Sequence, residues 1–277
     1  MTDPREGGAW LERLPAIVAA CAEQWSLTLG DPFPAASASV ALPATTQEGH
    51  DAVLKVCFPH HESEHEADAL RAWDGNGAVR LLAHDAERWA LLLERCRPGE
   101  PLPERPRDEA LDVLCSVLPR LWLPAAEPFR PLADEAAWWA SYLPDRWEAA
   151  GRPFERPLLH AALEALRELP ATQGEQVLLD QDLHPGNVLS AEREPWLVID
   201  PKPLAGEREF SAAPIVRAFE LGHSEGAVRA RLDRLTEALG LDRERARLWA
   251  LGQTIAWCFD SDYHPDHVET ARWLLRA

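Results

Sequence analysis

The sequence predicts a two-lobed α+β fold, a small strand-rich part followed by a larger helical one. Three observations predict it. The first 97 residues read as short apolar runs separated by turn residues, with one internal helix. Pro98-Gly99-Glu100-Pro101 then breaks the chain. Beyond that break the apolar spacing becomes helical, interrupted by a second strand-rich island at Val177–Asp200. At 277 residues the chain exceeds one minimal core, and the lobes are expected to meet at the break, as 1–97 and 98–277.

Taken in order, residues 9–25 (AWLERLPAIVAACAEQW) carry helical spacing and predict an N-terminal helix. Leu27–Leu29, a Pro/Ala/Ser stretch from Asp31 to Ser39, a short apolar segment and a polar turn at Gln47–Asp51 follow. Ala52–Cys57 (AVLKVC) is a compact strand. Residues 61–73 predict a helix with Ala67, Leu70 and Trp73 on its apolar face. After the Asp74-Gly75-Asn76-Gly77 turn, Ala78–Ala83 and Arg88–Leu93 read as a hairpin joined by His84–Glu87. Helical patterns then cover 106–121, 134–150 and 157–169, and after the island 208–220, 225–239, 242–258 and 266–276. The twelve tryptophans suit the packing of a helical lobe, with Trp138-Trp139 expected at its surface.

Composition excludes several function classes. A formal charge of −18 disfavours nucleic acid and anionic membranes and favours cationic ligands. No apolar run reaches the ~18–20 residues of a membrane span. Met1-Thr2-Asp3-Pro4-Arg5-Glu6 lacks the basic start and apolar stretch of a signal peptide. The expectation is a cytoplasmic protein. Cysteines 21, 57, 96, 115 and 258 form no CxxC pair and read as buried thiols. His60, His61 and His65 include an i, i+4 pair without an evident third ligand, so a solvated helix start is expected, and His264 and His267 read similarly. Arginine is abundant, yet lysine occurs only at Lys55 and Lys202, and asparagine only at Asn76 and Asn187. A GC-rich genome explains that scarcity but not where the survivors sit.

Chemistry concentrates in Leu178-Leu179-Asp180-Gln181-Asp182-Leu183-His184-Pro185-Gly186-Asn187-Val188-Leu189, followed by Trp196-Leu197-Val198-Ile199-Asp200. Asp182 and Asn187 have the D-x-x-x-x-N spacing of a kinase catalytic loop, and Asp200 ends a strand thirteen residues on. Phosphoryl transfer needs positioning and neutralised charge more than covalent help. The carboxylate of Asp182 suits orienting a hydroxyl and taking its proton. The oxygens of Asn187 and Asp200 are hard donors suited to Mg²⁺.

These segments resemble the catalytic loop of aminoglycoside phosphotransferases, whose usual form is H-G-D-L-H-P-G-N. Residues 191–202 (AEREPWLVIDPK), with Leu70–Leu82 and Leu91–Leu102, are similar to a narrower branch that holds streptomycin 6-phosphotransferases and hydroxyurea phosphotransferases. The resemblance covers about residues 25–220. It implies a protein-kinase-like fold with ATP and Mg²⁺ between the lobes, a small-molecule hydroxyl as acceptor, and antibiotic resistance as the outcome. One position departs: Asp180 stands where the family has a loop-supporting histidine.

In that reading Lys55, a charge inside an apolar strand, holds the α- and β-phosphates and pairs with a helix glutamate. Glu66 is the expected partner, with Glu62 one turn earlier as the alternative. No glycine-rich motif covers the phosphates; Pro34–Ser39, which includes Ser37, stands at the expected position, either as the phosphate-covering loop or as a simple surface turn. Adenine is expected against the backbone of Glu94-Arg95-Cys96. Glu207, Asp260 and Asp262 are candidate contacts for a cationic acceptor, although Glu207 could equally begin a helix and Asp260 and Asp262 could form a plain helix-end turn. A housekeeping sugar or amino-alcohol kinase, or a non-catalytic nucleotide-binding protein, are the competing readings.

Overall fold

The computed structural model describes residues 4–34, 38–125, 127–259 and 263–277. Helix α1 (Pro4–Gln24) leads into strands β1 (Thr28–Leu29), β2 (Ser39–Thr45) and β3 (Asp51–Cys57), helix α2 (Glu66–Trp73), and strands β4 (Leu81–Asp85) and β5 (Ala90–Glu94). The five strands form one antiparallel sheet in the order β1-β2-β3-β5-β4. Both faces of its middle are covered, and the period-2 alternation of side chains sorts them. Ala52, Leu54 and Val56 of β3, with Ala90 and Leu92 of β5, pack with Trp10 and Cys21 of α1. Leu91, Leu93 and Cys57 face the opposite way, into the core that holds Ala67, Leu70 and Trp73 of α2. Burial on both sides explains why β3 reads as a continuous apolar run, and the alternation aims Lys55 at the α2 side.

Helix α2 is shorter than its pattern: residues 61–65 form turns and the helix begins at Glu66. Glu66 and Asp68 in the first turn favour a start there, since acids stabilise a helix N-terminus. Asp74, left-handed at φ 45°, ends it and returns its N–H to the Leu70 carbonyl. The predicted strand at Ala78–Ala83 begins only at Leu81, because Ala78 and Val79 peel off to bridge Val198.

After β6 (Pro98–Pro101) come α3 (Arg107–Leu121), α4 (Leu132–Ala149) and α5 (Arg156–Glu168). Strands β7 (Val177–Asp180), β8 (Val188–Ala191), β9 (Trp196–Val198) and β10 (Pro203–Gly206) form the island, and α6 (Ala212–Arg217), α7 (Glu225–Leu239), α8 (Arg243–Trp257) and α9 (Pro265–Arg276) complete the chain. Trp139 of α4 stacks on Phe210 and Phe210 meets Trp249 of α8 edge-on, a buried aromatic row at the helical core. Trp139 is therefore fully buried; only its neighbour Trp138 reaches the surface. The helix expected at 208–220 is instead a 3-10 turn, the short α6 and a second 3-10 turn. Ala212 to Val216 are buried on every side, so the apolar run has no polar face to continue a long surface helix.

The island makes two small sheets, β6-β8-β9 and β10-β7. Pairing of Asp180 with Pro203 places the loops after β7 and before β10 side by side. A seam joins the island to the first sheet: Val79 N–H donates to Val198 O at 3.0 Å and Val198 N–H to Gly77 O at 2.9 Å. Arg193, in the β8–β9 turn, grips both carboxylate oxygens of Glu94 at 2.7 and 2.9 Å and the carbonyls of Gly75 and Ala78.

Candidate active site

Three of the expected residues meet at one point. Lys55 Nζ lies 2.6 Å from both carboxylate oxygens of Glu66 and 2.5 Å from Asp200 Oδ1. Lys55 is buried and Glu66 is 1% exposed, so each charge is tolerable only because the other is present. Burial alone would lower the Lys55 ammonium pKa; Asp200, together with Cys57 and Glu66, holds it well above its ordinary value. Conversely Lys55 holds the Asp200 carboxyl below the usual range. Asp200 sits just past β9 in the left-handed region at φ 53°, a conformation aspartate tolerates better than most residues, with its side chain half exposed. Glu62 is not the partner of Lys55. It lies 3.3 Å from Lys202 instead.

The loop between β7 and β8 carries Asp182 and Asn187. Asn187 donates its side-chain N–H to the Asp182 carbonyl at 3.1 Å, which assigns the amide oxygen to the other side. An amide oxygen and a carboxylate, as Asn187 and Asp200 offer, are hard donors of the kind Mg²⁺ takes. Arg217 and Lys202 hold the Asp182 carboxylate, Arg217 at 3.0 Å on Oδ1 and Lys202 at 3.1 Å on Oδ2. Beneath the loop, Asp180 Oδ1 accepts the backbone N–H groups of Asp182 and Lys202, each at 3.0 Å. A carboxylate can thus brace the loop where the resemblance implies a histidine. Asp180 is 4% exposed, its Oδ2 has no hydrogen-bond partner among the described residues, and burial pushes its pKa up to about 7. His184 Nδ1 lies 2.7 Å from Glu220 and anchors the other end of the loop.

The wall beside Asp182 is one the sequence left unread. Trp257 underlies both cations, with Arg217 at 4.0 Å and Lys202 at 5.0 Å from its ring centroid. Trp138 meets the His61 ring at 4.7 Å and Tyr142 at 5.0 Å. His61, Glu62 and buried Glu135 come together there, with Arg130 ion-paired to Glu135 at 2.5 Å. His61 thus has a buried acidic neighbour, Glu135, that its local sequence did not reveal. Burial, then Arg130, pushes its pKa down to about 3. Only the rarity of lysine and the place of Lys202 two residues after Asp200 signalled any of this group.

The remaining expected residues divide. Glu94 spends its side chain on Arg193 and its N–H on the Arg80 carbonyl, so neither of those groups is open to a nucleotide. Glu207 is corrected: it is 2% exposed, and Arg245 at 2.6 Å and Trp249 Nε1 at 2.5 Å occupy its carboxylate. It ties β10 to α8 and has no exposed oxygen for an acceptor. Ser37, Asp260 and Asp262 lie outside the described residues.

A catalytic-loop aspartate, an asparagine five positions on, and a strand-end aspartate paired to a buried Lys–Glu couple form a kinase-type constellation. The family described as aminoglycoside/hydroxyurea antibiotic resistance kinase matches residues 24–261. The chain belongs to this family. Among curated relatives of this resistance-kinase family, the hydroxyurea phosphotransferase of Kitasatospora aureofaciens is 44% identical over 92% of the chain and 76% of its own length. The streptomycin 6-kinase of Streptomyces glaucescens is 40% identical over 90% and 83%. Among solved structures, the choline kinase LicA of Streptococcus pneumoniae overlays with a TM-score of 0.68 at 12% identity, covering 95% of the chain and 98% of its own. Aminoglycoside phosphotransferase APH(4)-Ia overlays at 0.63 and 16% identity, covering 94% and 95%. The fold is the protein-kinase-like one, with a sheet in the N-terminal region and helices in the C-terminal region, and the family's activity is phosphoryl transfer to a hydroxyl. No described helix is long and apolar enough to cross a membrane.

Proposed function

We propose that this kinase transfers the γ-phosphoryl group of ATP to a hydroxyl of a streptomycin-type aminoglycoside, in a cleft between residues 1–97 and 98–277. The observation that carries the reading is the pairing of its two cleft aspartates: Asp200 with Lys55, which Glu66 also holds, and Asp182 with Lys202 and Arg217. Asp182 orients the acceptor hydroxyl and takes its proton. Lys55, steadied by Glu66, holds the α- and β-phosphates, and the Arg95–Cys96 backbone meets the adenine edge. Asn187 and Asp200 would hold Mg²⁺, which when bound neutralises phosphate charge.

The choice of a cationic acceptor is supported by the net charge of −18 and by the streptomycin kinase relative. Hydroxyurea is the second reading, favoured by the 44% identity to a phosphotransferase of that compound. An ADP-release assay with streptomycin, hydroxyurea and neutral amino sugars, with mass analysis of the products, separates them. A phosphorylated streptomycin product is expected. Efficient turnover of hydroxyurea or a neutral sugar without phosphorylated streptomycin would replace the acceptor and keep the transfer chemistry.

A further inference from the structure

We propose that Lys202 is a second catalytic residue, a fixed ammonium ion that contacts the transferring phosphoryl group beside Asp182. The proposal rests on the reading of Asp182 as the group that takes the hydroxyl proton. A base must stand about 2.6–3.2 Å from the hydroxyl oxygen it serves. An ammonium 3.1 Å from the same carboxylate therefore neighbours the oxygen that becomes bonded to phosphorus.

The position of this ammonium is built in by the fold. The β7–β10 register pairs Asp180 with Pro203, and Gln181 N–H donates to the Lys202 carbonyl at 3.0 Å. Asp180 then holds the backbone N–H groups of both Asp182 and Lys202 on one oxygen, so base and cation are referenced to the same atom. Glu62 at 3.3 Å and the Trp257 ring at 5.0 Å fix the ammonium from its other sides. Arg217 grips Asp182 independently through Oδ1, so the aspartate does not depend on Lys202 alone for its orientation.

Composition points the same way. All but two of the 28 basic residues are arginines, and each of the two lysines is ion-paired to a cleft aspartate. A lysine is a compact point charge, whereas a guanidinium is a broad planar fork, so an ammonium leaves more room for an acceptor beside the Arg217 guanidinium already on Asp182. Lys55 serves the nucleotide side of the cleft, and Lys202 occupies the corresponding place on the acceptor side.

In the step itself, the acceptor oxygen bonds to the γ-phosphorus while its proton passes to Asp182. The bond from phosphorus to the β,γ-bridging oxygen breaks, and ADP leaves with that electron pair. Lys202 keeps its proton throughout and balances the charge on the phosphoryl oxygens, an interaction stronger in the transition state than before it.

The test is the kinetics of Lys202→Met, alone and combined with Asp182→Asn. It is read with streptomycin, with hydroxyurea and with water as acceptor (acceptor-free ATP hydrolysis), alongside calorimetric Mg·ATP affinity. Lys202→Met is expected to lower kcat about 10²-fold or more while KM and Kd for Mg·ATP move less than about threefold. In the Asp182→Asn background it is expected to cost at least a further ~10-fold, because the ammonium acts on the phosphoryl group directly. Lys202→Gln, which keeps a polar contact to Asp182 and guards against a misfolded methionine variant, is expected to lose as much kcat with its melting temperature retained. Three results would overturn the proposal: a methionine variant with kcat within about threefold of the parent, no further loss in the Asp182→Asn background, or loss of nucleotide affinity in step with kcat. Normal turnover by Asp182→Asn alone would instead remove the base assignment on which the proposal stands.

Discussion

Asp180 shows how one substitution changes the physics of a loop. Its carboxyl braces two backbone N–H groups, but its second oxygen is buried without a partner among the described residues, and burial raises its pKa from 3.8 to about 7. Below about pH 4 the group is protonated whether the chain is folded or not, and it costs nothing. As pH rises the unfolded chain ionises first, so stability falls until about pH 7 and is level above it, by on the order of a few kcal/mol in total. Asp180→Asn keeps the accepting oxygen and cannot ionise. Its melting temperature should therefore gain on the parent progressively from about pH 4 to pH 7 and hold that gain above it; a gain independent of pH would assign the effect to packing. At Asp200 the expectation is different. Asp200→Ala should abolish the Mg²⁺ dependence of nucleotide binding in calorimetric titration, and Asn187→Ala should weaken it less, since a neutral amide oxygen holds a divalent cation less strongly than a carboxylate. Unchanged metal dependence in Asp200→Ala would remove this strand end from the metal site.

Among the elements, β10 is held against α4 with almost no clearance. A Cβ at Gly206 would stand 2.6 Å from Leu132 Cβ and 3.0 Å from Leu179 Cδ1, inside a wall of buried side chains. Gly206→Ala should cost about 1–3 kcal/mol, the usual range for overpacking a core, measured as a shift in the urea midpoint. An unshifted midpoint would mean that α4 can slide away from the strand. This contact also marks the limit of what the sequence discloses. The Asp182–Asn187 spacing, Lys55 within β3 and Glu66 at the start of α2 were legible because each is a short-range pattern on one element or loop. Arg193 and Arg217 were not, because the partners that give them meaning lie 99 and 35 residues away on other elements or loops. Glu207 misled for the same reason. Its acidity was visible, but its counterion Arg245 lies 38 residues later, where α8 returns to cover β10. The 208–220 pattern was read as one helix because periodicity cannot separate a buried run of short turns from an amphipathic face.

The whole molecule carries a formal charge of −18, and its field acts on whatever approaches. A polycationic acceptor should be captured faster at low salt, and that advantage should fade as the Debye length shrinks from ~10 Å at 0.1 M to ~3 Å at 1 M. With Mg·ATP saturating, kcat/KM for streptomycin is expected to fall steeply across that range while the value for neutral hydroxyurea stays flat. Parallel slopes for the two would show that the global charge plays no part in selecting the acceptor.

The seam centred on Arg193 has a consequence for how the polypeptide can be divided. Its guanidinium binds Glu94, Gly75 and Ala78, while close by Val198 accepts a backbone bond from Val79 and donates one to Gly77. The peptide link at residues 97–98 is therefore not what keeps the two segments in register. Co-expressed from two genes split at that link, they would meet along a ready-made docking edge, and complementation of activity should survive the cut. With Arg193→Ala the same pair would lose its guide, and only the continuous chain should remain productive.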